Sequence, residues 1–194
     1  MSNIKLIPAS GGGSVSLAPP NSTSGADVTI TMPTASQGLG KILQVVQQTT
    51  DSTPSTSGTT YVDTGLSQAI TPTSSSSKIL VTCCVVYGGE NDSYAGFKVL
   101  RGTTSIGESS QGSGNQSNVA FGGSGDRTHM EYMTHPVSWS YLDSPNTTSS
   151  TTYKVQFAAR WASETVYINR PHLVTDHAWV FYTTSTLTLM EVAA

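Results

Sequence analysis

The chain has 194 residues, of which 36% are hydrophobic and 11% charged, with a formal net charge of -3. Ser, Thr, Gly and Pro make up 84 of the 194 residues; these favour strands, turns and loops over helix interiors, which excludes a helical bundle. Nine scattered Lys and Arg give no basic surface to neutralise phosphates, and the longest apolar stretch, residues 79–87 interrupted by Thr82, falls well short of the roughly 20 residues of a membrane-spanning helix, so neither nucleic acid nor membrane insertion is expected.

In chain order, residues 1–40 stand apart. Met1-Ser2-Asn3-Ile4-Lys5 opens without the long apolar core of a secretory signal, so synthesis in a cytoplasm is expected. Val15-Ser16-Leu17 and Val28-Thr29-Ile30-Thr31-Met32 alternate as short strands, and an offset of 13 superimposes Val15 on Val28, Leu17 on Ile30 and Pro20 on Pro33. Each unit offers only two or three apolar side chains, too few to offset the entropy of ordering it. Residues 1–40 are therefore expected to form an extended β-rich arm, sheltering Val15, Leu17, Val28, Ile30 and Met32 against another protein or between copies of the chain.

A second unit, 41–194, opens with a strand at 42–46 followed by a Ser-, Thr- and Pro-rich loop at 51–58. Strands are expected at 60–63, 78–87, 94–101, 118–121, 133–141, 151–160, 165–168, 177–182 and 184–192, separated by turn clusters such as Gly88-Gly89-Glu90-Asn91-Asp92 and Asp143-Ser144-Pro145-Asn146. Many short strands without a helical period predict an all-β, antiparallel two-sheet sandwich. Alternation places Tyr153, Val155, Phe157 and Ala159 on one face, with Lys154, Gln156 and Arg160 opposite. Leu187, Leu189 and Glu191 share a face of the last strand; the carboxylate is expected either at the rim of the core or paired with a Lys or Arg, from a neighbouring subunit if need be.

Chemistry is sparse. Cys83 and Cys84 point to opposite faces if extended and are expected to be free. Gly122-Gly123-Ser124-Gly125-Asp126 departs from a nucleophile elbow at Asp126, and no glycine pattern cradles a nucleotide. His129, Glu131 and His135 would share one face of an extended segment, the one candidate ion site, but neither a bound metal nor a cofactor is expected. Glu90 and Asp92, the one close carboxylate pair, lie in a Gly- and Asn-rich turn where both stay ionised, so glycosidase chemistry has no acid and the chain is not expected to be an enzyme. Aromatic residues crowd the second half; Trp139, Trp161, Trp179 and Phe181 are expected mainly in the core, while the several rings that stand beside polar loops can stack on sugars or fill a subunit interface.

Ile4-Lys5-Leu6, Gly12-Gly13-Ser14-Val15-Ser16-Leu17 and Ala26-Asp27-Val28-Thr29-Ile30-Thr31-Met32-Pro33 resemble short β-rich segments of the tail-fibre and related appendage proteins of tailed bacteriophages. Tyr153-Lys154-Val155-Gln156-Phe157, Val166-Tyr167-Ile168-Asn169-Arg170 and Ser185-Thr186-Leu187-Thr188-Leu189-Met190-Glu191 resemble the closing strands of the jelly-roll heads that end many such fibres. The resemblance implies a jelly-roll topology and a homotrimer located in the virion. In the favoured reading it is a short fibre or tip protein that docks by its arm on another virion protein, of the tail or capsid. Its head would meet a host surface glycan or protein through Gly107 and Asn115 of loop 107–125 and Asn169, Arg170 and His172 of loop 169–176. A trimeric capsid decoration protein is the alternative, favoured by the lack of a shaft between arm and head; a small glycan hydrolase or esterase is a distant third.

Overall fold

A computed structural model of the protein describes residues 4–6, 15–17, 42–124, 130–175 and 178–194. The chain divides between Gln37 and Gly38 into two compact units. In the first, β1 (Ile4–Leu6) pairs antiparallel with β2 (Val15–Leu17), Ile4 lying opposite Leu17. The strand expected at Val15 and Leu17 is present, with its partner inside the same unit. Val28, Ile30 and Met32 lie outside the described residues.

The second unit consists of β3 (Ile42–Thr50), β4 (Ser55–Thr56), β5 (Val62–Ile70), β6 (Lys78–Gly89), β7 (Tyr94–Arg101), β8 (Thr104–Ile106), β9 (Phe121–Ser124), β10 (His135–Asp143), β11 (Thr151–Ala159), β12 (Val166–Ile168) and β13 (Ser185–Val192), with a single 3-10 turn at Met130–Tyr132 among the described residues. The first sheet runs β3-β13-β6-β12-β4 with β10 on the other side of β6; the second runs β5-β11-β7-β8 with β9 also on β7. All the pairings are antiparallel, and the two sheets pack face to face, as the alternation of the strands predicts. Val81, Val85, Tyr87, Leu187, Leu189 and Ile168 from one sheet meet Phe97, Val99, Tyr153, Val155, Phe157 and Leu66 from the other, and each is almost fully buried. Burying each of these side chains contributes about 1.5–3 kcal/mol, which is why the period of two survives so clearly in β6, β11 and β13.

The differences from the expected strands have local causes. The strand expected at 60–63 runs instead over Val62–Ile70, because Gly65 takes a positive φ of 93° and lets β5 bulge against β11 between Lys154 and Gln156. The Thr64 hydroxyl sustains the bulge by donating to the Val155 carbonyl (2.9 Å) and accepting the Leu66 amide (3.2 Å). Residues 118–120 are loop, and β9 begins only at Phe121. Of the strand expected at 177–182, residues 178–182 are irregular: Trp179, Phe181 and Tyr182 are 59%, 64% and 64% exposed and have no sheet to join. Pro136 sits within β10 without breaking it, as an exposed residue of a strand that pairs with β6 alone among the described strands.

Two polar clusters tie the ends of the sandwich. At one end Asp143 of β10, buried, accepts two hydrogen bonds from Arg101 Nη1 of β7 (2.8 and 2.9 Å) and one from the Tyr153 hydroxyl of β11 (2.7 Å), so a carboxylate of the first sheet is clamped by the second. Burial raises the Tyr153 phenol above its usual range, and its hydrogen bond to Asp143 raises it further. The other cluster centres on Asn169 and is described below with the loops. Between them, a row of rings from Phe157 through Phe97, Phe121 and Trp139 to Tyr141, at centroid spacings of 6.5, 4.8, 6.1 and 5.6 Å, closes one flank between the sheets.

Glu191 follows neither expectation for it. The carboxylate is fully buried and accepts hydrogen bonds from neutral donors: Gln44 Nε2 (2.6 Å), the Thr73 amide (2.7 Å) and the Thr73 hydroxyl (2.7 Å). Burial pushes the group up, but the hydrogen bonds from Gln44 and Thr73 outweigh it and bring the carboxyl down to about 2.

Candidate functional sites at one end and on one sheet face

The strand directions give the sandwich two distinct ends. Ile42 of β3, Lys78 of β6 and Val192 of β13 lie together at the first, so the chain preceding β3 joins the body there. Residues 90–93, 160–165, 169–175 and 178–184 gather at the second, held by Glu90 N to Thr165 O (3.2 Å), Arg160 N to Tyr94 O (3.1 Å) and Thr183 N to Asn169 O (2.9 Å).

A cleft of about 400 Å3 opens at the second end on the outer face of the second sheet. Its base follows from register: Ala158 of β11 lies opposite Gly96 of β7, two very small residues side by side. A Cβ on Gly96 would sit 3.0 Å from Val119 Cγ1 and 3.2 Å from the Tyr61 hydroxyl, so those two side chains close in over the glycine. Tyr94 forms the outer rim with Trp161, edge to face at 5.6 Å, and the Arg160 guanidinium lies 5.3 Å over the indole. The Thr59, Ser117 and Ser124 side chains line the remainder. Lys98 lies 4.8 Å over the Tyr61 ring and is paired with Glu108 at 3.1 Å. Burial raises the Tyr61 phenol, and the Glu108 charge adds to the shift. Glu164 is likewise raised by burial, with Asp92 and Glu90 adding to the shift and Arg160 opposing it.

The expected contact residues divide. Arg170 and His172 come together around Tyr167: the guanidinium is 3.9 Å from the ring centroid, His172 Nδ1 is 3.1 Å from the phenol oxygen, and Glu90 stands 4.0 Å from His172. Asn115 is exposed in a turn of the flanking loop. Gly107 is not a tip residue; it turns the chain at a φ of 63° beneath Trp139 and Tyr141. Asn169 is corrected outright, because it is fully buried and out of reach of any partner. Its amide donates to the carbonyls of Thr50 (3.0 Å) and Ser52 (2.9 Å), its side-chain oxygen accepts from the Ser185 hydroxyl (2.6 Å), and its backbone takes a left-handed φ of 58°.

Of the four rings expected mainly in the core, Trp139 alone packs on it; Trp161 is 49% exposed, and Trp179 and Phe181 more so. His135 is half-buried with its ring 6.0 Å from that of Tyr87, Glu131 belongs to the 3-10 turn, and His129 lies outside the described residues. No group of three His, Cys, Asp or Glu that could hold a metal forms among the described residues. Cys83 is buried, with its thiol pushed up to about 12 by burial, and Cys84 on the opposite face is half-buried; both are free.

That opposite face of the first sheet is the second candidate. Val45, Met190, Leu80 and Leu142 stand in register across β3, β13, β6 and β10 as one apolar row, with Val45 53% and Leu142 47% exposed. The next rows are Gln47, Thr188, Thr82 and Ser140, then Thr49, Thr186, Cys84 and Ser138. Small side chains there leave a shallow groove of about 440 Å3. These three rows hold no charged residue, whereas the outer face of the second sheet carries Asp63 paired with Lys154 (3.1 Å) and Lys98 paired with Glu108. No protein-family model matches the chain, and comparison with curated proteins finds no similar sequence.

Proposed function

We propose that the chain is a structural protein of a tailed-phage virion: a short trimeric fibre or tip protein that docks through its N-terminal segment and presents the sandwich for host attachment. The observation that carries the assembly is the block of three uncharged rows on the outer face of the first sheet, with Lys78 at its edge. A folded chain that keeps its other sheet dressed in ion pairs, yet leaves a registered row of Val45, Met190, Leu80 and Leu142 open, has a surface suited to a partner equally free of charge. Two further copies, with the same rows converging on a threefold axis, supply that match. Four strands spaced about 4.8 Å apart and about seven residues long cover roughly 450 Å2, against about 800 Å2 per partner in a standard interface; in this reading the N-terminal segments bury the balance.

Attachment draws on the polarity of the body. The chain joins the sandwich at the Ile42 end, while the cleft and the Trp161, Trp179, Phe181 and Tyr182 rings lie with the loops of the other end. Capsid decoration is the second reading; Trp179, Phe181 and Tyr182 favour it, because three large exposed rings fit a permanent protein contact.

Light scattering and particle composition test the proposal. The protein should have three times the chain mass, and Val45→Lys with Leu142→Lys, both on exposed positions, should give a folded monomer. A wild-type monomer would overturn the assembly. Tens of copies per particle with binding to host cells support the fibre, hundreds of copies support decoration, and absence from purified particles refutes both.

A further inference from the structure

We propose that the cleft over Gly96 is a binding site for a neutral saccharide, held by its ring faces and hydroxyls; this rests on, and gives chemical content to, the attachment reading above. Ala158 and Gly96 line the base of the cleft, and Val119 with the Tyr61 hydroxyl stands close over Gly96, so a ligand ring would rest on these side chains. Tyr61 and Tyr94 flank it with aromatic bodies and polar tips, the combination that suits a ligand with apolar faces and a hydroxylated edge. Thr59, Ser117 and Ser124 add hydroxyls that both donate and accept. The volume of about 400 Å3 falls within the range of small-molecule sites.

Electrostatics select the class. Among the described residues Arg160 is the one cation lining the cleft, and its charge is shared with the Trp161 ring and Glu164. Lys98 is already paired with Glu108, and Arg160 lies over Trp161 within the field of Glu164, beside Glu90 and Asp92. A carboxylate brought to this rim would meet those negative groups, whereas an uncharged pyranose meets hydroxyls and rings.

The experiment is saturation-transfer difference NMR on the intact protein with glucose, galactose, mannose, N-acetylglucosamine and N-acetylgalactosamine, beside glucuronic and sialic acids, with Trp161 fluorescence as a second readout. At least one neutral sugar should bind saturably and compete out, at least about tenfold more tightly than either acid. Tyr94→Ala should weaken it about tenfold, the upper range for losing one aromatic contact. Ser117→Trp, at an exposed loop position that lines the cleft, should abolish it by filling the space, while the circular dichroism melt of either variant shows a folded protein. The proposal is overturned if none of the five neutral sugars saturates, if an acid binds better, or if Ser117→Trp binds as wild type. Sugar failure alongside intact attachment to host cells removes the cleft assignment alone; sugar binding by a protein absent from particles removes the attachment reading alone.

Discussion

Replacing Asn169 should destabilise the sandwich by an amount that can be divided between hydrogen bonds and backbone. Asn169→Ala deletes two donors to the carbonyls of Thr50 and Ser52 and the acceptor of the Ser185 hydroxyl, all around a fully buried side chain. At about 1 kcal/mol for each net hydrogen bond, the loss is about 3 kcal/mol. Alanine must also hold the left-handed φ of 58°, which adds about 1 kcal/mol. Asn169→Gly loses the same hydrogen bonds without that strain, so it should be the milder variant by about 1 kcal/mol despite its greater freedom when unfolded. Urea unfolding of the purified protein followed by tryptophan fluorescence gives both values from midpoints at constant slope. A total loss of about 4 kcal/mol would consume much of the stability of a typical domain. If Asn169→Ala unfolds within about 1 kcal/mol of wild type, the hydrogen bonds do not hold the loops to β3 and the argument fails; if the glycine variant is the weaker, the strain assignment fails.

Acid should reveal Glu191. Its folded carboxyl lies at about 2, below the ordinary 4.5, so the stabilisation is complete above the ordinary value and is lost as pH falls towards the folded one; thermal melts between these limits should decline with pH, and Glu191→Gln should flatten the decline. Gly107→Ala should cost about 1–3 kcal/mol, because the new Cβ collides with Trp139, comes 3.1 Å from Tyr141 Cδ2 and sits at positive φ; near-UV circular dichroism should report the displaced indole, and an unchanged spectrum and midpoint would count against the packing. Asp143→Ala should cost about 1–3 kcal/mol in urea, since the buried Tyr153 hydroxyl and the partly exposed Arg101 both lose their acceptor; Arg101→Ala, which leaves the Tyr153 contact, should cost less.

The sequence exposes those parts of the fold that depend on a residue's own position in an alternating run. Tyr153, Val155, Phe157 and Ala159 alternate because one sheet face is buried, and the same logic places Leu187 and Leu189 correctly. It misses what depends on a neighbour far along the chain. The continuation of β5 past Gly65 is hidden because a bulge breaks the period, and Thr64 repairs it through a carbonyl 91 residues away. Glu191 looks anomalous until Gln44 and Thr73 supply its donors, and Asn169 looks like a loop-tip residue until the carbonyls of β3 and its exit turn surround it. Trp161, Trp179 and Phe181 mislead for the opposite reason: a large ring signals burial somewhere, and within this single chain they remain open. Of the cleft, the sequence showed only that aromatic rings stand beside polar loops. Tyr61 and the registered base were not legible, although glycine inside an alternating strand, as at Gly96, is the available signal.

The ion-free rows across β3, β13, β6 and β10 also dictate how an assembly seated on them would respond to solvent. With no charges to screen across that seam, dissociation should be nearly indifferent to sodium chloride, while sulfate should tighten the complex and chilling loosen it. Such an assembly would carry a joint tuned to temperature and insensitive to brine.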